Sequence, residues 1–355
     1  MLTALPPPAS LARIAAGVDA RLRTLLEAER QRWGSFDEDL VAPIHEIERL
    51  VLAGGKRLRP AFCHWGFVGA GGDPDAAQVV DAGAAFELMH AFALFHDDVM
   101  DDADSRRGAP TTHTVFAQEH TREGWAGESR RFGEGVAILV GDLAFVYADQ
   151  LMRGLSAEAW DVWNELRIEL NIGQFLDILG SVRNERRLFK AERICRYKSG
   201  KYTIERPLHL GAILAAPERA DELLPALSRY GLPLGDAFQM RDDVMGVYGD
   251  EGVTGKPVGG DLREGKPTPL MARAVALATP AQRAVLDLVG VPGMTDEQVA
   301  SVQQVIIDTG ALAQLEAHIE ALTDQALAAV AEARLTPTAT DELVLLAHYV
   351  SWRHV

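Results

Sequence analysis

Residues that could do chemistry gather at two places in this chain, and both places are acidic. The segment Phe95-His96-Asp97-Asp98-Val99-Met100-Asp101-Asp102-Ala103-Asp104 holds five aspartates in eight residues, directly after an apolar run. On a helix, residues four apart share a face with Cβ atoms about 6 Å apart, so Asp97 and Asp101 point together. Two such charges repel by roughly 1–3 kcal/mol at an effective dielectric between bulk water and about 20. Aspartate is also a mediocre helix former, so the cluster costs stability. Hard divalent cations relieve that repulsion. Oxygen-only ligands favour Mg²⁺, which keeps water or phosphate oxygens in its remaining positions. An acidic helix end or a solvated turn explains an isolated Asp-Asp-x-x-Asp equally well.

The second place is Gln239-Met240-Arg241-Asp242-Asp243-Val244-Met245-Gly246, which repeats Asp-Asp-Val-Met after another mainly apolar helix, Tyr230 to Met240. Recurrence of one acidic pair is common by chance. Recurrence in the same helical context, each copy followed by a basic, Gly-rich stretch, is not. Two facing helices could hold a metal cluster between them, as bundles often do.

Cations answer these acids. Asp104-Ser105-Arg106-Arg107-Gly108 follows the first cluster, and Gly54-Gly55-Lys56-Arg57-Leu58-Arg59-Pro60 precedes it. Tyr197-Lys198-Ser199 lies mid-chain, and Lys256 and Lys266 sit in a Gly-rich stretch after the second cluster. Arginine grips phosphate bidentately, whereas lysine supplies a point charge. The Gly-Gly-Lys element is not a P-loop, because the GxxxxGK[ST] spacing is missing.

The elements that position these groups read as helices. Leu11, Ile14, Val18, Leu22, Leu25 and Leu26 form one stripe in three- and four-residue steps; Leu315, Ile319, Leu322, Ala326 and Val330 form another. No series of short alternating strands is visible, which argues against a sheet protein. Val79–Phe95, Gly135–Leu155 and Trp160–Leu179 are apolar on more than one side, which predicts helices in the middle of a large bundle. Glu119–Gly135 and Asp250–Pro269 read as long polar or Gly-rich loops. No composition shift marks a domain boundary, so one all-helical domain over 1–355 is expected, with 1–10 disordered.

The chain has 355 residues, 48% apolar and 24% charged, so it is too apolar to be disordered. Its net charge of −16 makes it a poor nucleic-acid binder, and any anion site must be locally basic or recruit metal. Cys63 and Cys195 lie far apart with no CxxC spacing, which predicts a reducing compartment and no zinc site. Met1–Ser10 lacks basic residues, and no uncharged apolar run reaches about 18 residues. No secretory signal or membrane span is expected, and a cytoplasmic location is the simpler reading.

Taken together, Gly54–Pro60, Glu87–Gly108, Lys198-Ser199 and Phe238–Lys266 resemble the trans-isoprenyl diphosphate synthases of the polyprenyl synthetase family, from about Leu40 to Leu270 and by extension over the whole chain. The resemblance implies an all-α isoprenoid synthase fold, a large helical bundle around a central cavity. It also implies condensation of an allylic diphosphate (dimethylallyl, geranyl or farnesyl) with isopentenyl diphosphate. Asp97 and Asp101 would bind two Mg²⁺ ions, with Asp98 supporting; Asp242 would hold a third, with Asp243 nearby. Arg106, Lys198 and Lys256 would grip the allylic diphosphate. Lys56, Arg59, His90 and Arg107 would hold isopentenyl diphosphate, and Lys266 belongs to the same substrate-binding set. Gln239 and Ser199 resemble positions facing the allylic cation. Relatives are usually homodimers.

One departure stands out. The second motif ends in Gly246 where many relatives carry a third aspartate, and Asp250, one helical turn on, is a possible substitute. The variant motif leaves room for a weakly active or regulatory subunit of a heteromeric synthase. For product length, relatives making short chains place bulky aromatics four and five residues before the first aspartate. Here those positions are Ala93 and Phe92, with Met89 one turn deeper, which implies a product longer than farnesyl, most simply geranylgeranyl diphosphate. Ordinary core packing explains Phe92 as well. A class I terpene cyclase would need an NSE-type second motif, which is absent.

Overall fold

The computed structural model describes residues 6–106, 108–249 and 259–352, and nearly all of them are helical. The elements begin with α1 (Ala9–Gly34), a 3-10 turn (Glu38–Val41), α2 (Ala42–Val51), α3 (Leu58–Gly69) and α4 (Ala77–Met100). A two-stranded ribbon follows, β1 (Ser105–Arg106) and β2 (Ala109–Pro110), then α5 (Thr112–Glu123), α6 (Ser129–Leu151), α7 (Ala157–Val182) and α8 (Leu188–Cys195). A π-helix (Arg196–Glu205) leads into α9 (Arg206–Ala215), a short 3-10 turn and α10 (Ala220–Tyr248). The chain closes with α11 (Gly260–Glu264), α12 (Pro269–Leu277), α13 (Pro280–Leu286), α14 (Asp296–Asp308), α15 (Ala311–Glu332) and α16 (Pro337–Trp352). Tertiary contacts divide it into two units, one of 9–64 and 73–155, the other mainly of 65–72 and 156–352.

In the first unit the stripe Leu11, Ile14, Val18, Leu22, Leu25 and Leu26 is buried, as the periodicity requires. The centre of this unit is α4, buried on almost every side from Val79 to Phe95 because Ala82, Gly83, Ala84 and Ala85 let neighbours approach closely. One expectation fails here. The polar stretch 119–135 is a loop only over 124–128. Gly124 ends α5 in the left-handed region, and the Glu128 carboxylate starts α6 by accepting the backbone N–H groups of Arg130 and Arg131. Trp125 packs edge-on against Phe132 and His120. What reads as a polar loop is the solvent face of two helix ends. Arg106 and Ala109 pair in a short ribbon inside an otherwise helical chain, as the all-helical expectation allows.

In the second unit the core lies between α10, α12, α14 and α15, with Met240, Val244, Val247, Leu270, Val302, Ile306, Leu315 and Ile319 buried together. Arg241 ties α10 down: it donates to both Glu316 oxygens at 2.7 and 2.5 Å and to the Ser351 carbonyl at 2.8 Å. The expected loop 250–269 contains α11, whose Leu262 is fully buried. Residues 250–258 lie outside the described residues, and so does the suggested substitute Asp250. The first helix starts at Ala9, inside the segment expected to be disordered.

The burial expected on more than one side of α6 and α7 is also incomplete. Leu139 and Val146 on α6 are exposed, as are Ile168, Ile172, Phe175 and Val182 on α7. Each helix therefore has one buried face and one apolar exposed face. Among the described residues, no helix is long and apolar enough to cross a membrane.

Candidate active site

Each acidic motif belongs to a different unit, and each is described within its own. The first sits at the C-terminal end of α4, where unsatisfied carbonyls already place negative charge. Asp97 and Asp98 occupy the last turn, and Asp101 is the capping residue, its N–H donating to the Asp97 carbonyl at 2.8 Å. Carboxylates at that end of a helix are unfavourable unless a cation answers them.

Arg106 is one such cation. The β1–β2 ribbon folds it back so that Nε donates to Asp98 Oδ1 at 2.6 Å, while Nη2 lies 2.5 Å from Asp98 and 3.7 Å from Asp97. Asp98 is 4% exposed; burial pushes its carboxyl above the usual range, Arg106 opposes that shift and Asp97 reinforces it. Burial disfavours the Arg106 charge, but Asp98, Asp97 and Asp101 outweigh it and hold the guanidinium more basic than usual. Arg107 lies outside the described residues.

Lys56, Arg59 and His90 are all half-buried in the same unit. Between the two cations stands Arg57, a residue that the sequence reading left without a role. It is buried, donates to Asp19 at 2.7 and 3.1 Å and to the Val51 carbonyl at 2.5 Å, and pairs with Glu87 on α4. Its backbone takes a φ of +49°, uncommon for a residue with a side chain and held here by those bonds. This anchor fixes the backbone from which Lys56 and Arg59 extend.

Of the three length-determining candidates, Met89 is fully buried, while Phe92 and Ala93 are partly exposed. The Phe92 ring meets Phe145 of α6 edge-on at 4.9 Å and His96 at 4.7 Å. His96 itself lies 3.1 Å from the Ile138 carbonyl and 3.4 Å from Asp142.

In the second unit, backbone-to-backbone packing brings the site together. A Cβ on Gly173 of α7 would lie 2.4 Å from the Lys198 nitrogen, and one on Gly235 of α10 would lie 2.7 Å from the Gly200 Cα. Only glycine allows α7, the π-helix and α10 to touch so closely. The π-helix is itself rare and tends to occur at functional sites. It carries Lys198 and Ser199, both half-buried, and Lys198 Nζ donates to Asp177 of α7 at 2.6 Å.

On α10, Gln239 donates to Asp243 Oδ1 at 2.9 Å, and Asp242 is half-buried. Asp243 is 5% exposed, and its carboxyl is pushed well above the usual range by burial and then by Asp261, Asp242 and Asp177, against the opposing Gln239 amide. Lys266 lies 3.8 Å from Asp261 and 2.6 Å from Glu264. Lys256 lies outside the described residues. Asp177 and Asp261 were missed in the sequence, since neither stands in an acidic run.

The donor set of both motifs is all carboxylate oxygen, crowded and only partly compensated, which suits a hard divalent cation. Among the described residues no three candidate ligands converge tightly enough to hold an ion by themselves. Mg²⁺ is commonly held by one or two carboxylates plus substrate phosphates.

A family model described as Polyprenyl synthetase matches residues 43–307. A geranylfarnesyl diphosphate synthase of Aeropyrum pernix is 35% identical over 286 residues, covering 78% of this chain and 83% of the relative. A geranylgeranyl diphosphate synthase of Saccharolobus solfataricus is 34% identical, covering 67% and 68%. Among solved structures, a geranylgeranyl pyrophosphate synthase from Corynebacterium glutamicum, complexed with isoprenyl diphosphate and magnesium, is 36% identical. It superposes with a TM-score of 0.89 over 96% of this chain and 99% of that one.

Proposed function

Because the chain belongs to the polyprenyl synthetase family, we propose that it condenses an allylic diphosphate with isopentenyl diphosphate, with all-trans geranylgeranyl diphosphate as product. It is a prenyl-transferring enzyme of the isoprenyl diphosphate synthase kind, dependent on Mg²⁺. The observation that carries the reading is Arg106 folded over the carboxylates at the end of α4, a paired set of opposite charges suited to a metal diphosphate.

In this reading Asp97 and Asp101 hold two Mg²⁺ ions with Asp98 in support, and Asp242 with Asp243 holds a third. Mg²⁺ supplies Lewis-acid neutralisation of the departing diphosphate. The chain's own cations do the rest of the gripping. Arg106, Lys198 and Lys256 hold the allylic diphosphate, and Lys56, Arg59, His90, Arg107 and Lys266 serve the second substrate. Fixed cations stabilise the charge that develops on the leaving group without reorganising during the reaction. The Gln239 amide and Ser199 hydroxyl oxygens face the allylic cation, and apolar walls keep water from it. The alkene of isopentenyl diphosphate attacks the cation, a carbon–carbon bond forms, and the proton lost passes to the released diphosphate rather than to a side chain.

Product length is assigned to Phe92, with Ala93 and Met89, and the bracing of Phe92 by Phe145 and His96 supports a firm floor. Geranylgeranyl length is supported by similarly named relatives, although the relatives also include a nonaprenyl diphosphate synthase of Mycobacterium tuberculosis at 32% identity. A homodimer is part of the proposal, and the exposed apolar residues Ile168, Ile172 and Phe175 suit a helix face that meets a partner. So is a cytoplasmic location, supported by the unbridged, buried thiols Cys63 and Cys195.

The test uses the purified protein alone with Mg²⁺, isopentenyl diphosphate and, in turn, dimethylallyl, geranyl and farnesyl diphosphate. Turnover to a twenty-carbon product by chromatography is expected. Turnover only after addition of a second subunit would replace the reading with a regulatory one.

A further inference from the structure

π-helices are rare, so the wide winding of Arg196–Glu205 calls for a cause. That cause lies on α7. Glu169, Gly173 and Asp177 stand four residues apart and so share one face of that helix. All three meet the π-helix. Asp177 accepts from Lys198 Nζ at 2.6 Å, and Gly173 leaves room for the Lys198 backbone. Glu169 takes two cations at once. Arg206 grips it with a fork, Nε to Oε2 at 2.6 Å and Nη2 to Oε1 at 2.7 Å, and Lys201 Nζ donates to Oε1 as well.

Lys201 and Arg206 are five residues apart. On an α-helix that separation would leave their side chains pointing about 140° apart. Here the Arg206 N–H donates to the Lys201 carbonyl, the i→i+5 bond that defines the wider turn. The same turn brings both cations to one side, where a single carboxylate binds them. Glu169 is 5% exposed; burial disfavours its charge, yet Arg206 and Lys201 outweigh burial and hold its carboxyl below the usual range. Lys201 also lies 3.4 Å from Glu205, whose other oxygen accepts the Ser228 hydroxyl at 2.7 Å.

We propose that Glu169 is a positioning residue: by holding Lys201 and Arg206 together it fixes the wide turn, and the turn sets where Lys198 and Ser199 stand. The inference rests on the prenyl-transfer reading above and deepens it. Three contacts spaced along one face of α7 fit only one winding of the segment opposite. Rewound as an α-helix, that segment would part the two cations and shift its register against Gly173 and Asp177.

The full chain is compared with Glu169→Gln, Lys201→Met, Lys198→Gln and the double variant Glu169→Gln/Lys198→Gln. Hydrogen–deuterium exchange over 196–206, read by mass spectrometry, reports the turn without any substrate. Steady-state kinetics below each melting temperature report the site. Glu169→Gln is expected to speed exchange over 196–206 about tenfold or more, because it breaks a buried ion pair. It is expected to lower kcat/KM for the allylic diphosphate about 10- to 100-fold through misplacement alone. The KM for isopentenyl diphosphate should stay unchanged, since Lys56, Arg59 and His90 are carried by other elements. Lys201→Met leaves the Arg206 fork in place and should act in the same direction, but less. In the Lys198→Gln background, Glu169→Gln should cost less than in the parent, because a residue it positions is already gone.

Unmoved exchange in both Glu169→Gln and Lys201→Met overturns the tether. Normal allylic kinetics in Glu169→Gln, or an undiminished loss in the Lys198→Gln background, makes the residue merely structural and overturns the positioning role. Each of these results leaves the functional reading intact. A parent protein without turnover overturns that reading and this inference with it. Should Glu169→Gln fail to fold, Lys201→Met carries both readouts.

Discussion

Lys198 on the π-helix donates to Asp177 on α7 at 2.6 Å, across a helix contact that Gly173 makes possible. The pair holds a half-buried cation in one place. Lys198→Gln removes that charge, and the loss of a charge-assisted bond to diphosphate, about 1.5–3 kcal/mol, lowers kcat/KM by about 10- to 100-fold. Asp177→Asn keeps the cation but loosens its aim, so a smaller loss is expected. Steady-state kinetics on both variants check this, and equal activity in Lys198→Gln would remove the lysine from substrate binding.

At the end of α4, Asp97→Ala is expected to abolish condensation even at high Mg²⁺. Asp98→Asn should instead show itself first in stability, because it leaves the 18%-exposed Arg106 without the charge of its closest partner. Activity against Mg²⁺ concentration, together with melting curves, separates the two. Near-normal turnover in Asp97→Ala would remove that residue from the metal site.

Phe92→Ala opens the space bounded by Phe145 and His96. A longer product is the expected outcome, read by chromatography of dephosphorylated products. An unchanged product profile would make Phe92 ordinary packing.

Asp243 is nearly fully buried among acids, and its ionised form is disfavoured in the fold. The folded state therefore binds its proton more tightly than the unfolded chain, and this residue's contribution to stability falls as pH rises from the ordinary aspartate range towards the raised value. Asp243→Asn removes that penalty. Without Mg²⁺ the variant should melt higher at neutral pH, yet turn over more slowly. Calorimetry showing a lower melting point would contradict the account.

His209 behaves in the opposite sense. Burial, and then the cations Arg206 and Lys201, lower its pKa to about 4, against the opposing pull of Glu205 and the Leu224 carbonyl. Its ring also lies 3.0 Å from the Ser228 hydroxyl. The unfolded chain takes up a proton on this ring near pH 6.5. Stability from His209 is thus complete above that pH and drains away as pH falls towards 4, by as much as about 3 kcal/mol. His209→Gln should flatten the stability profile between those limits in denaturant titrations.

The acidic motifs were legible because carboxylates four apart on a helix leave a signature within one short window. Stripes such as Leu11 to Leu26 were legible for the same reason. Arg57 was not, because its partners Asp19 and Glu87 come from other helices and nothing local marks them. Asp177 and Asp261 were hidden likewise, because neither stands in an acidic run; Gly246 was visible as an irregularity in the second motif. The stretch 119–135 misled because polar residues on the outer face of a helix end look the same as polar residues in a loop. Trp125 and Phe132, whose rings meet at 5.4 Å, were the counter-signal.

The contact between Gly200 and Gly235 has a bearing on how such an enzyme can diversify. Main chain lies against main chain there, so the spacing between the lysine-bearing turn and the helix of Asp242 does not depend on side-chain packing between them. In the proposed reaction, side chains elsewhere can change the length of hydrocarbon accepted while Lys198 and Asp242 keep their spacing. Either glycine, replaced by even the smallest chiral residue, would pry that apparatus apart without touching a single charge.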